Sequence, residues 1–92
     1  MGEAVDEHLG RRLCRRRQSL GLTQQQLGTA IGVRFQQVHK YECGLSRMSP
    51  ARLCDIANAL GVGVGYFFDG LEAAAPIVPR PRLTEGDAWR AA

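Results

Sequence analysis

The sequence predicts an all-α fold, and three observations carry that expectation. Apolar residues recur at three- to four-residue steps in separate stretches: Leu9, Leu13 and Leu20, then Leu27, Ala30 and Ile31, then Leu53, Ile56, Ala57 and Leu60. Helix start signals stand where they should, with Thr23 and Gln26 spaced as a capping box and Ser49 followed by Pro50. Glycines at 21, 32, 44 and 61 fall at the ends of the periodic runs. With a closing apolar patch, these signals make five short helices, and the 92 residues leave room for one small domain and a tail.

Residues 1–7 are polar and are expected to be a frayed, disordered N-terminus. The first helix is expected from about Glu7 to Ser19, with Leu9, Leu13 and Leu20 on its buried edge. Its other positions carry Arg11, Arg12, Arg15, Arg16 and Arg17, five cations in seven residues. Such a run repels itself, and either solvent or a polyanion must face it. The expectation is that the first four face water or phosphate. Leu20-Gly21-Leu22 then connects to the second helix.

Thr23 to Gly44 reads as two short helices around a tight turn. Gly32 sits where that turn needs a residue free to take φ > 0. The second of these helices, at about 34–43, spaces Phe35, Val38 and Tyr41 at helical intervals. Two helices joined in this way form a helix-turn-helix unit, whose second helix can lie in a DNA major groove. After the loop Gly44 to Met48, Ser49-Pro50 opens the fourth helix. Val62, Val64, Tyr66, Phe67 and Phe68 suggest a short fifth helix that closes the core, although Gly63 and Gly65 weaken it. Part of that patch is alternatively a dimer face. From Leu71 the sequence is proline-rich and aperiodic, so 71–92 is expected to be a flexible tail after a domain at 8–70.

Charge is unevenly spread. Residues 8–62 hold nine Arg/Lys and two acids, whereas the remainder holds three basic and seven acidic residues. A basic domain with acidic ends suits a polyanion partner, although charge alone also fits a merely soluble surface. No apolar run approaches the roughly 20 residues of a membrane-spanning helix. Cys14, Cys43 and Cys54 lack metal-ligand spacing and point to reduced thiols in the cytoplasm. No Ser/His/Asp set, paired carboxylates or phosphate loop marks an enzyme, and Gly61 to Gly65 lacks the G-x-G-x-x-G pattern of a nucleotide site. No cofactor or metal is expected, and no second domain is evident that would take a small-molecule effector.

The residues L-G-L-T-Q-x-x-L (20–27), A-I-G-V (30–33), F-Q-Q-V-x-K-Y-E-x-G (35–44) and L-x-x-I-A-x-A-L-G-V-x-V-x-Y-F-F-D-G (53–70) together resemble the Cro and phage-repressor type of helix-turn-helix family, often called the XRE family. The third of these is similar to a version common in regulators of alpha-proteobacteria. The resemblance implies a five-helix Cro/repressor-like domain. It also implies a transcriptional repressor or activator that binds double-stranded DNA as a homodimer on a pseudo-palindromic operator. By the same resemblance, Gln24 meets a backbone phosphate, and Arg34, Phe35, Gln36, Gln37 and Lys40 project toward the groove. Arg47 and Arg52 flank the backbone, with His39 at the margin. The family also implies a buried ion pair between Arg17 and Glu42. Three departures from the family pattern stand out: Arg34 where a Ser or Thr cap is common, Gly28 where alanine is usual, and Cys43 just after the recognition helix, where the family is variable. A different reading is a protein-interaction module, such as an antitoxin whose tail wraps a toxin.

Overall fold

The computed structural model describes residues 2–71. It contains α1 (Gly2–Ser19), α2 (Gln24–Ile31), α3 (Phe35–Glu42), α4 (Pro50–Leu60) and a 3-10 helix (Val64–Phe68). There is no strand among the described residues. The expected flexible tail lies outside them, apart from Leu71.

Two boundaries differ from expectation. Helix α1 begins at Gly2, not near Glu7, so the stretch expected to fray is helical. Tertiary contacts explain this: Val5 packs on the core, and Asp6, only 14% exposed at its side chain, lies 3.6 Å from Arg47. The expected fifth α-helix is instead a single 3-10 stretch of five residues. Gly63 and Gly65 disfavour an α-helix there, and a segment this short is well served by i to i+3 bonding.

The start and stop signals are used as the sequence implies. Thr23 Oγ1 accepts from the Gln26 amide at 3.0 Å, and Gln26 Oε1 accepts from the Thr23 amide at 2.8 Å, completing the capping box. Ser49 Oγ accepts from the Arg52 amide at 3.0 Å, with Pro50 opening α4. The left-handed Gly61 ends α4, and the Val62 amide reaches back to Ala57 O at 3.0 Å.

Leu9, Leu13, Leu27, Val38, Tyr41, Met48, Leu53, Ile56, Ala57, Leu60 and Phe67 form one core to which every helix contributes, with Leu22, Val33 and Val62 of the connections packed against it. Deleting a side chain as well enclosed as Leu13 or Ile56 leaves a cavity and costs about 2–5 kcal/mol. Leu20 is not on the buried edge. Helix α1 stops at Ser19, and Leu20 turns out with it, 44% exposed. The aromatic patch divides. Phe67 is fully buried and meets Tyr66 edge to face at 5.4 Å, while Val64 and Phe68 face outward.

A glycine lets α1 lie directly on α3. A Cβ at Gly10 would stand against the carbonyl oxygens of Tyr41 and Glu42, 2.7 Å from the latter. Backbone therefore meets backbone at the end of α3.

Candidate nucleic-acid interface

The α2–α3 turn is built from backbone. Gly32 takes φ +78°, and the amides of Gly32 and Val33 both donate to Gly28 O, the latter at 2.8 Å. Gly28 is buried, and a Cβ on it would lie 2.6 Å from Val33 O. Its departure from the usual alanine therefore matches a turn with no room for a methyl group.

Helix α3 divides its residues by face. Val38 and Tyr41 point into the core. Arg34, Phe35, Gln36, His39 and Lys40 are exposed, with Gln37 half-buried. Phe35 is 48% exposed although it is a large apolar residue, which costs stability unless something covers it. Arg34 is the residue before α3, as expected, and its side chain caps nothing. The first amides of α3 thus keep free N–H groups beside a cation, an arrangement suited to an anion.

Gln24 is brought to this helix. Its Nε2 donates to Glu42 Oε1 at 3.0 Å and lies 3.3 Å from His39 Nδ1. The side chain expected to meet phosphate is thus occupied within the protein and links the start of α2 to α3. His39 Nε2 lies 3.5 Å from Cys43 Sγ. Cys43, Cys54 and Cys14 are all free thiols. Burial pushes the Cys14 thiol up, and the neighbouring Glu42 carboxylate adds to this, so Cys14 stays protonated.

The remaining arginines depart most from expectation. Arg12 Nε donates to Tyr66 O at 3.0 Å, and its guanidinium stacks 3.8 Å from the Tyr66 ring centroid. Arg16 Nε donates to Leu60 O at 3.0 Å. Arg52 Nη1 donates to Ile31 O at 2.7 Å and lies 3.7 Å from Asp55. Ile31 and Leu60 are the last residues of α2 and α4, where carbonyls lack helical partners and the dipole is negative. Arg12, Arg16 and Arg52 are therefore half-buried and each is tied to a backbone carbonyl, while Arg11 and Arg15 stay exposed. Arg47 stays 76% exposed, 3.6 Å from Asp6. The structure gathers Gln24, Arg34, Phe35, Gln36, Gln37 and Lys40 on or beside α3, and holds Arg52 at the last carbonyl of α2. Nothing in the sequence announces the arginine-to-carbonyl bonds, because their acceptors are backbone atoms.

The helix-turn-helix family profile matches residues 15–67, most of the described domain. The chain belongs to the helix-turn-helix family. It is 51% identical over 72 residues to an "uncharacterized transcriptional regulator in ATPase CF(0) region" of Rhodospirillum rubrum, across 78% of this chain and 67% of that protein. A helix-turn-helix type transcriptional regulator of Sinorhizobium fredii is 50% identical over 66 residues, 72% of this chain and 46% of its own length. The chain thus spans about half the length of that relative. Among solved structures, the restriction-modification controller protein C.AhdI from Aeromonas hydrophila superposes with a TM-score of 0.69 at 27% identity, covering 72% of this chain and 96% of its own. The helix-turn-helix domain is of the XRE type that the motifs resemble. The named relatives are described as transcriptional regulators. No helix among the described residues is long and apolar enough to cross a membrane. None of their His, Cys, Asp and Glu side chains form a group of three able to hold a metal.

Proposed function

We propose that the protein is a sequence-specific transcriptional regulator that binds a pseudo-palindromic operator as a homodimer, with α3 in the major groove. The single observation that carries this is the outward face of α3. Arg34, Phe35, Gln36 and Lys40 are exposed there, while Val38 and Tyr41 alone anchor the helix to the core. Gln36, Gln37 and Lys40 read base edges, since glutamine matches adenine and lysine matches guanine. Arg34 meets the backbone at the open start of α3.

Dimerisation is supported by the outward apolar residues beside the core. Val64 and Phe68 on the 3-10 helix are 36% and 43% exposed, and Leu71 follows. One such helix reads only a few base pairs, whereas a two-fold pair doubles the site with half-sites about 34–36 Å apart.

Selection of bound sequences from a random duplex library tests the reading. The expected product is an inverted repeat, with two chains per duplex by sedimentation. Enrichment of no motif would refute sequence-specific binding, and one chain on a full-length selected site would refute the dimer.

A further inference from the structure

The geometry points to a second binding site, for a small multivalent phosphate anion, on the face of α1 turned away from α3. His8, Arg11, Arg12 and Arg15 stand at i, i+3, i+4 and i+7, an arc of about 100° on the helix. Gly10 and Arg17, which face α3, lie on the opposite side of α1. The stripe and the turn at Asp69-Gly70 enclose a cleft of about 210 Å³. That is room for about seven waters at ~30 Å³ each, and it falls below the ~300–1,000 Å³ of pockets for drug-sized ligands. A phosphoryl or diphosphoryl group fits this volume.

The cleft has a fixed side and an open side. Arg12 is fixed by its bond to Tyr66 O and its stacking on the Tyr66 ring. His8 Nε2 lies 2.8 Å from Asp69 O, tying the turn to α1. The carboxylate facing these cations, Asp69, is 73% exposed and stands 3.6 Å from Arg12, too far for a hydrogen bond. Arg11 and Arg15 are exposed and make no ion pair among the described residues. Two guanidiniums one turn apart repel each other, and guanidinium forks match phosphate oxygens. A phosphate anion bridges Arg11, Arg15 and Arg12, displacing the loosely held Asp69 carboxylate. No effector is expected from the sequence, and this site would take one of defined chemistry. It does not rest on the DNA reading.

Calorimetric titration of the full chain with inorganic diphosphate, at constant ionic strength, tests it. Saturable binding of one diphosphate per chain is expected. Arg11→Ala and Arg15→Ala should each weaken it about ten-fold or more, the scale of one charge-assisted hydrogen bond. Asp69→Asn should strengthen it several-fold, and Arg34→Ala, which removes a cation at the start of α3, should weaken it less than Arg11→Ala or Arg15→Ala. Circular dichroism shows whether each variant is folded, and Asp69→Asn, a gain of binding, cannot arise from misfolding. Absence of saturable binding, no effect of Asp69→Asn, or an equal loss in Arg34→Ala overturns the site. So does a flattened salt dependence of DNA binding in Arg15→Ala as large as that in Arg34→Ala, because the stripe would then be a contact to the DNA backbone.

Discussion

Arg17 grips Glu42 with two nitrogens, Nε at 2.6 Å from Oε2 and Nη2 at 3.0 Å from Oε1. Its third nitrogen, Nη1, donates to Leu22 O at 2.7 Å, and the two side chains are only 11% and 6% exposed. One guanidinium thus ties α1, the connection before α2 and the end of α3. Glu42→Gln leaves this buried cation uncompensated, at a cost of about 3–5 kcal/mol. For a domain of this size, that is a melting temperature lower by roughly 12–40 °C. An unchanged melt would reduce the pair to a surface contact worth about 0–1 kcal/mol.

The same pair sets an acid limit. Burial pushes the Glu42 carboxyl up, but hydrogen bonds from Arg17 and then Gln24 outweigh it and hold the carboxyl below its ordinary value. The folded state therefore binds fewer protons than the unfolded one. Its stabilisation is complete above the unfolded value of about 4.3 and is lost as pH falls through the folded value. Melts of wild type and Glu42→Gln should differ by a constant amount above about pH 5 and converge in stronger acid. A gap that persists undiminished to pH 2 would mean that the carboxylate charge is not its source.

Gly10→Ala and Gly28→Ala should both destabilise, by about 1–3 kcal/mol, because the new methyl meets backbone carbonyls that cannot move alone. Gly65→Ala is the contrast. A Cβ there meets nothing within 4 Å, and the substitution should be neutral or stabilise by about 0.4–1 kcal/mol. Chemical denaturation of the three variants gives the ranking, and Gly10→Ala as stable as Gly65→Ala would contradict the close helix approach.

Arg16→Ala and Gln36→Ala separate scaffold from interface. Losing the bond to Leu60 O should cost about 0.5–1.5 kcal/mol of stability and leave the salt dependence of DNA binding as it was. Gln36→Ala should leave stability within about 0.5 kcal/mol. It should also cost about 1–3 kcal/mol on the best operator and relax preference at one base position. Arg34→Ala should instead weaken every sequence alike and lower the salt slope by about one. If Gln36→Ala weakened all sequences equally, α3 would be an anchor and not a reader.

Side chains that signal locally were legible in the sequence. The Thr23–Gln26 and Ser49–Pro50 starts could be read because capping is a property of neighbouring residues, whereas the outward set on α3 came through the family motif, since period alone grouped the exposed Phe35 with Val38 and Tyr41. The Arg17–Glu42 pair was legible only through the family motif, since nothing local links positions 25 residues apart. The arginine run was misleading in part. Arg11 and Arg15 are exposed as expected, but Arg12 and Arg16 donate to carbonyls, and a carbonyl has no letter in the sequence. The early start of α1 was hidden for a related reason: Asp6 and Val5 are held by tertiary partners that override a polar, fraying composition. Gly28, which stands where alanine is usual, proved to be a steric requirement of the turn.

The split of α3 into an anchoring and an outward face bears on how such chains diverge. Positions 34, 36 and 40 contribute nothing to the core, so they can change with little penalty to folding. Val38, Tyr41, Gly10 and Gly28 cannot. After gene duplication, two copies could acquire different operator preferences through a handful of substitutions, each tolerated on arrival, while the frame presenting them stays as it was. The address is written on a surface that the scaffold does not need to read.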